Sequence, residues 1–218
     1  MLRRVSLLAV ALLLFGVPQL AAQDLAEACA AVTSSESGYW AEFSLEGMPS
    51  DEVTSLRFAM IERPDESNPT WYEFTAQTNQ GEVTVQLDVP GWPFESDQVS
   101  GVIVKMAGQP AMRLPKEMIA MMQQQMGANP MADFAERCST SKPLGTETIE
   151  VPAGLFETVH IRSDDNGSEA WISQDVPFGI VKGLVAEGGT LTLVGYGTDA
   201  SSSITEEPQA MPGMGGMQ

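Results

Sequence analysis

The chain has 218 residues, with 11 basic and 29 acidic side chains, and its formal net charge at neutral pH is −18. This length suits one domain of ordinary size with a real core. The negative charge disfavours nucleic-acid binding and docking on anionic membranes, because phosphates are repelled, and it favours contact with cations or basic partners.

The first 22 residues have the pattern of an export signal. Arg3 and Arg4 precede an apolar stretch, Leu7–Val17, that is too short to span a membrane comfortably, and Leu20–Ala22 ends the segment with small residues. An uncleaved membrane anchor is the alternative. We therefore expect an exported protein of the periplasm or extracellular space. Residues 23–218 then carry nine basic and 29 acidic side chains, a formal charge of −20, and no further transmembrane segment is expected.

Both cysteines, Cys29 and Cys138, lie in this mature part. Two cysteines in an exported protein favour a disulfide over a metal pair or a nucleophile. The bond would tie the N-terminal segment to the end of a later helix, and two free thiols are the alternative.

The N-terminal half is predicted to contain one helix and then strands. Asp24–Val32 is an Ala-rich helix that opens on an N-capping Asp. In Tyr39–Glu46 apolar and polar residues alternate, which indicates a half-buried strand. The same alternation predicts further strands at Leu56–Met60, Trp71–Gln77, Val83–Val89 and Val99–Met106.

A Met-rich helical region follows at Pro115–Arg137, as one kinked helix or two short ones. Met118, Met122 and Met126 recur at four-residue spacing, and Met121 lies beside them. Methionine is flexible and polarizable, so it fits both an irregular core and an adaptable binding groove.

The C-terminal half is organised around Glu147–Lys182, two β-type runs on either side of Asp164–Gly167. Asn-Gly is a strong signal for a two-residue hairpin turn. Residues 200–218 are rich in Ser, Glu, Pro, Gly and Met and are predicted to be a disordered tail. Strands are predicted at Glu147–Val151, Leu155–Arg162, Ser168–Ser173, Ile180–Glu187 and Leu191–Tyr196.

These elements predict a single α+β domain over residues 23–199. About ten strands would form one curved antiparallel sheet, a half-barrel, packed on the Met-rich helix, with a short N-terminal helix.

The order Val151-Pro152-Ala153-Gly154, Trp171, Val176-Pro177-Phe178-Gly179 resembles domain-of-unknown-function families of exported bacterial β-proteins. These are related to the LolA/LolB-like lipoprotein-carrier half-barrel. The motif covers Val151–Lys182, with looser similarity over Tyr39–Tyr196. The resemblance implies an unclosed barrel whose concave apolar face holds an acyl chain under a helical lid.

Catalytic chemistry is not indicated. His160 is the only histidine and lies in a strand, where a surface histidine is the default interpretation. No Gly-x-Ser-x-Gly elbow accompanies it, and no pair of carboxylates stands out among 29 acidic residues. We expect no enzyme and no cofactor.

Three hypotheses for function follow. The first is a non-enzymatic binding protein for an acyl-chain or lipid-like ligand, lined by Met118, Met121, Met122, Met126 and Phe178. The second is Cu(I) capture by the thioethers of Met211, Met214 and Met217, since soft sulfur ligands select Cu(I). The third is an envelope interaction or assembly module that binds no small ligand.

Overall fold

The computed structural model describes residues 25–30, 32, 34–48, 52–62, 70–126, 137–186 and 188–211. The predicted export signal lies outside them. Helix α1 has the described residues 25–30 and 32, α2 is Lys116–Met126, a helical turn occupies 137–140, and Ser96–Gln98 form a 3-10 helix. The strands are β1 (Trp40–Glu46), β2 (Val53–Glu62), β3 (Thr70–Thr78), β4 (Gly81–Val89), β5 (Gly101–Met106), β6 (Met112–Arg113), β7 (Lys142–Val151), β8 (Gly154–Arg162), β9 (Glu169–Ile172), β10 (Ile180–Leu184), β11 (Thr190–Gly197) and β12 (Gln209–Ala210).

The described strands form one open, curved sheet in the order β12-β6-β5-β4-β3-β2-β1-β11-β10-β9-β8-β7. All neighbours are antiparallel except β12 and β6, which are parallel. The predicted α+β half-barrel is confirmed. The ten predicted strands are present, and the two added ones, β6 and β12, are only two residues long each. Such short strands leave no alternation to detect in sequence.

Alternation places the core on the concave face of the sheet. In β1, Ala41 and Phe43 have no solvent exposure, whereas the residues between them are half-buried. Two connecting segments add Trp92, Phe94 and Phe178 to the same core. The core is therefore built from strand side chains below and loop aromatics above.

The turn between β8 and β9 differs from the prediction of a two-residue hairpin. Ser163 N–H donates to Ser168 O at 2.8 Å, so four residues, 164–167, make the connection. Gly167 has φ 71°, the left-handed conformation that glycine adopts without steric cost. The hairpin is present, but a wider loop replaces the tight Asn-Gly turn.

A disulfide joins Cys29 of α1 to Cys138, just before β7, as the sequence favoured. Helix α1 packs on β8 and β9 in a second, smaller core. Its members are Ala28, Cys29, Val32, Cys138, Ile161, Ala170 and Ile172.

Residues 198–211, which we name the C-terminal strap, cross the convex face of the sheet. Trp40 Nε1–H donates to Asp199 Oδ1 at 2.9 Å at one end. In the middle, Ile204 is buried with Trp71 and Ile103. The strap therefore covers the side of the sheet that faces away from the main core.

The far end of the strap joins the sheet edge. Lys105 Nζ donates to Glu206 Oε2 at 2.9 Å, and this hydrogen bond holds the pKa of Glu206 below its usual value. Met211 N–H donates to Arg113 O at 3.0 Å beside the β12–β6 pair. Residues 200–211 thus differ from the disorder predicted for 200–218, because specific contacts along the sheet compensate for their low hydrophobicity.

Helices in the described part of the chain are short, and none has the length and apolarity required to cross a bilayer.

Candidate functional site

The deepest row of side chains on the concave face is fully covered. Cross-strand register aligns Met60, Tyr72, Leu87 and Val102 across β2 to β5, and all four are buried. The Trp92 ring stacks on Tyr72 at a centroid distance of 5.3 Å. Burial raises the pKa of the Tyr72 hydroxyl, so its ring remains neutral in this core.

The next rows on the same face are progressively uncovered. Phe58, Phe74, Val85 and Val104 form the second row and are only half-buried. In the third row, Leu56 and Val83 are half-buried, Ala76 is buried, and Met106 is 48% exposed. We name these two rows the apolar trough: Leu56, Phe58, Phe74, Ala76, Val83, Val85, Val104 and Met106.

Carboxylates lie at the uncovered end of the trough. Glu46 ends β1, Glu52 precedes β2 and Glu82 is the second residue of β4, and all three are exposed. Register puts these strand ends at the same edge of the sheet, and alternation directs the side chains of Glu46 and Glu82 to the face opposite the trough. The sheet edge beside the uncovered end of the trough is therefore negatively charged.

The methionines predicted to line a groove lie on α2. This helix packs on the core through Ile119, and Gln123 Nε2–H donates to Ser96 O and Val99 O at 3.0 and 3.1 Å. Met118 is half-buried and Met121 is 47% exposed. Met122 and Met126 belong to α2, but their side chains lie outside the described part of the structure. Contact of these four residues with a ligand stays a prediction.

Phe178 has no solvent exposure, so it lies in the core and not on an accessible wall. Its φ is 62°, and its N–H donates to Ser35 Oγ at 2.9 Å. Its ring contacts Phe58 and Trp92 at centroid distances of 6.0 and 5.5 Å. A molecule in the trough would contact Phe58, and Phe178 would support that ring from behind.

The copper hypothesis concerns residues that are mostly outside the described structure. Met211 is half-buried at the end of the strap, whereas Met214 and Met217 lie outside the described residues. Within the described ranges, no group of three or more His, Cys, Asp or Glu side chains is placed to hold a metal ion. Thioether binding of Cu(I) stays a prediction.

His160 belongs to a charged cluster that sequence reasoning missed. Its Nδ1 lies 3.1 Å from Glu147 Oε1 and its Nε2 lies 2.9 Å from Glu169 Oε2. The Trp171 ring stacks on the imidazole at 4.1 Å, and Trp171 Nε1–H donates to Glu147 Oε1 at 2.6 Å. Both ring nitrogens already face carboxylates, so His160 is not free to act as a general base toward a hydroxyl group. The cluster spans three strands, β7, β8 and β9, and the sequence does not reveal that pairing.

Two grooves near α1 are polar. The first holds about 220 Å³ and includes Glu27, Glu157 and Asp175 in its lining, with no basic side chain. The second holds about 360 Å³ and is lined by Ser35, Tyr39 and neighbouring loop residues. Neither contains the methionines predicted to bind ligand.

No protein-family model and no curated protein matches this sequence. Similar solved structures include MucB in complex with MucA(peri), at 14% identity and a TM-score of 0.38, over 86% of this chain and 59% of MucB. LprF from Mycobacterium bovis is similar at 14% identity and a TM-score of 0.43, over 86% of this chain and 97% of LprF. The resemblance to LolA/LolB-like half-barrels agrees with these neighbours. Both TM-scores lie below 0.5, so no functional argument rests on them.

Proposed function

We propose that this chain is an exported, non-enzymatic binding protein that holds an uncharged apolar chain in the apolar trough. The observation that carries the proposal is the gradient of burial along one face of β2 to β5. The row at Met60 is sealed by loop aromatics, and the row at Phe58 and the row at Met106 are left partly open. Apolar surface left uncovered on a concave face is typical of a ligand site.

The size of the hydrophobic term is sufficient for binding. Transfer of one CH₂ group from water contributes about 0.8 kcal/mol, so a chain of about ten methylenes contributes about 8 kcal/mol before the cost of association is subtracted. Phe58 and Phe74, whose rings lie 5.5 Å apart, provide a large part of the contact surface. After at least about 4 kcal/mol is subtracted for association, ten methylenes give about millimolar affinity, and a chain of about 15 methylenes reaches micromolar affinity.

Charge restricts the ligand. Glu46, Glu52 and Glu82 lie at the strand ends beside the uncovered end of the trough, and the whole chain carries a formal charge of −18. A carboxylate or phosphate head group would be repelled there, whereas a neutral or cationic head group would not. The proposed ligand is an acyl or other apolar chain without a negative head group.

A fluorescence titration tests the proposal. The neutral probe N-phenyl-1-naphthylamine is added to residues 23–218, purified without detergent and extracted to remove bound lipid. We expect emission to rise on binding. The variant Val85→Gln places an amide in the trough and is expected to weaken binding about tenfold, the equivalent of 1.4 kcal/mol.

The matched control is Leu155→Gln, because Leu155 is 69% exposed and lies on β8, away from the trough. Near-UV circular dichroism verifies that both variants are folded. Met106→Gln, at the exposed rim, provides a second trough variant that leaves the core untouched. The proposal is wrong if the wild type gives no rise in emission, or if Leu155→Gln weakens binding as much as the two trough variants.

A further inference from the structure

Strand β7 forms one edge of the sheet and pairs with β8 alone among the described strands. Seven of its ten residues are exposed, Pro143 and Ile149 are half-buried, and Val151 is buried. Along such an edge, alternate residues direct N–H and C=O groups away from the sheet, which makes the edge a template for another strand. Among the described residues, no strand pairs with the outer side of β7, and directly after β7 Ala153 N–H donates to Leu193 O of β11 at 3.4 Å.

Features that protect edges from pairing are confined to the first half of β7. Lys142 and Pro143 begin the strand, and the register shifts between Pro143 and Gly145. A lysine, a proline and a bulge each discourage strand addition. From Thr146 to Glu150 the register with β8 is continuous, and the segment contains no proline, lysine or glycine. Only this second half is suited to accept a strand.

The side chains beside this segment are acidic. Thr148 and Glu150 share one face, and their cross-strand partners on β8 are Glu157 and Leu155. The adjoining groove adds Glu27 to Glu157 and has no basic residue in its lining. An added strand would therefore lie next to Thr148 and Glu150 on this face, with Glu157 and Leu155 one strand further away.

On the opposite face the edge is held rigid. Glu147 is fixed by the contact of Oε1 with His160 Nδ1 at 3.1 Å and by the hydrogen bond from Trp171 Nε1 at 2.6 Å. Thr158 Oγ1 also donates to Glu147 O at 2.8 Å. A strand that is already ordered loses little entropy when it pairs with a partner.

A second copy of this chain does not fit the edge. It would bring the same Glu150 and Glu157 and another formal charge of −18 to the interface. Like charges on neighbouring strands destabilise a pair, whereas opposite charges stabilise it by about 0.2–1 kcal/mol each. The occupant that the charges favour is a basic segment of a different protein.

We infer that residues 146–150 bind an extended basic segment of a partner protein by strand addition. Lysine or arginine side chains of the added strand contact Glu150 and extend over β7 toward Glu157. Backbone hydrogen bonds provide the affinity, and the carboxylates select for basic sequence.

The test uses synthetic peptides and residues 23–218. The probe is a blocked, fluorescent eight-residue peptide in which Lys alternates with Val, and its binding is followed by anisotropy at low ionic strength. We expect binding that weakens with added salt, and slower hydrogen exchange of the backbone amides of residues 146–150. The charge-reversed peptide, with Glu in place of Lys, is expected not to bind.

Two controls separate strand addition from general attraction between opposite charges. The same Lys-Val peptide with alternate backbone nitrogens methylated keeps its charge and loses its hydrogen-bond donors on one edge. The variants Glu150→Lys and Glu157→Lys are compared with Asp164→Lys, on the exposed β8–β9 turn. We expect methylation and each edge variant to weaken binding about fivefold or more, and Asp164→Lys to have less than a twofold effect.

Equal binding of the methylated peptide, or equal weakening by Asp164→Lys, would overturn the inference in favour of non-specific electrostatics. Absence of peptide binding, or dimerisation of the protein alone with protection at residues 146–150, would overturn it as well. Neither result bears on the trough, because the trough variants Val85→Gln and Met106→Gln report on a separate face.

Discussion

At the residue scale, Glu73 shows how a buried charge is accommodated in the middle of the sheet. Its side chain has no solvent exposure. Gln86 Nε2–H donates to it at 2.7 Å, Ser203 donates through N–H and Oγ–H at 3.1 and 2.9 Å, and Ser202 Oγ–H donates at 2.9 Å. Arg57 Nη1 lies 3.5 Å away. A buried carboxylate is tolerated when its oxygens accept this many hydrogen bonds.

We expect Glu73→Gln to destabilise the fold by about 2 kcal/mol, because one carboxylate oxygen becomes an NH₂ group that faces other donors. Urea unfolding followed by tryptophan fluorescence measures the change. Glu82→Gln on the adjacent strand is the control, since Glu82 is exposed, and its effect is expected to stay within about 0.5 kcal/mol. Equal effects of the two substitutions would show that the hydrogen bonds at Glu73 contribute little.

At the element scale, the C-terminal strap is attached to the sheet by one apolar contact and a series of polar ones. Ile204 is buried with Trp71, Ile103 and Ala111, and the hydrogen bonds at Glu73 and Glu206 flank it. The strap therefore closes the convex face without contributing a long strand. The sequence of the strap is rich in Ser and Glu, and this composition predicted disorder. Composition shows that the strap contains one isoleucine, but it does not show the apolar surface of the sheet that buries this side chain.

Removal of the apolar contact tests this attachment. We expect Ile204→Ala to lower the free energy of unfolding by about 2 kcal/mol. This value is at the lower end of the range for truncation of a buried aliphatic side chain, because the strap can move into the cavity that the substitution leaves. Hydrogen exchange should accelerate at Ser203 and Gln209 as well as at the mutated position.

The control is Thr205→Ala at the neighbouring exposed position, which is expected to change little. If both variants have the stability of the wild type and unchanged exchange, the strap is held by its polar contacts alone.

At the scale of the whole molecule, the disulfide closes a very long loop. Cys29 and Cys138 are 109 residues apart, and strands β1 to β6 and helix α2 all lie between them. A cross-link over this separation lowers the entropy of the unfolded chain by an amount worth about 5 kcal/mol in the chain-entropy model, and strain in the folded state reduces the net gain.

We expect the double variant Cys29→Ser, Cys138→Ser to lose about 4 kcal/mol of stability and to unfold at lower urea concentration. Wild-type protein unfolded in the presence of a reductant is the matched comparison and should behave alike. If the double variant unfolds at the urea concentration of the oxidised wild type, the bond does not contribute to stability.

The sequence by itself determined the strands and favoured the pairing of the cysteines. Alternation with period two in Trp40–Glu46 or Gly81–Val89 depends only on neighbouring residues, so it can be detected without tertiary structure. Two cysteines have a single possible intramolecular pairing, and that pairing is present.

Only the tertiary structure decided which apolar side chains are covered. Met60 and Phe58 have the same pattern in sequence, but Met60 is buried whereas the Phe178 ring covers Phe58 only in part, and so the trough remains open at Phe58. The sequence likewise could not show that Phe178 lies in the core or that His160 lies between two glutamates. Coverage and cross-strand contacts depend on segments far apart in the chain, and local periodicity has no information about them.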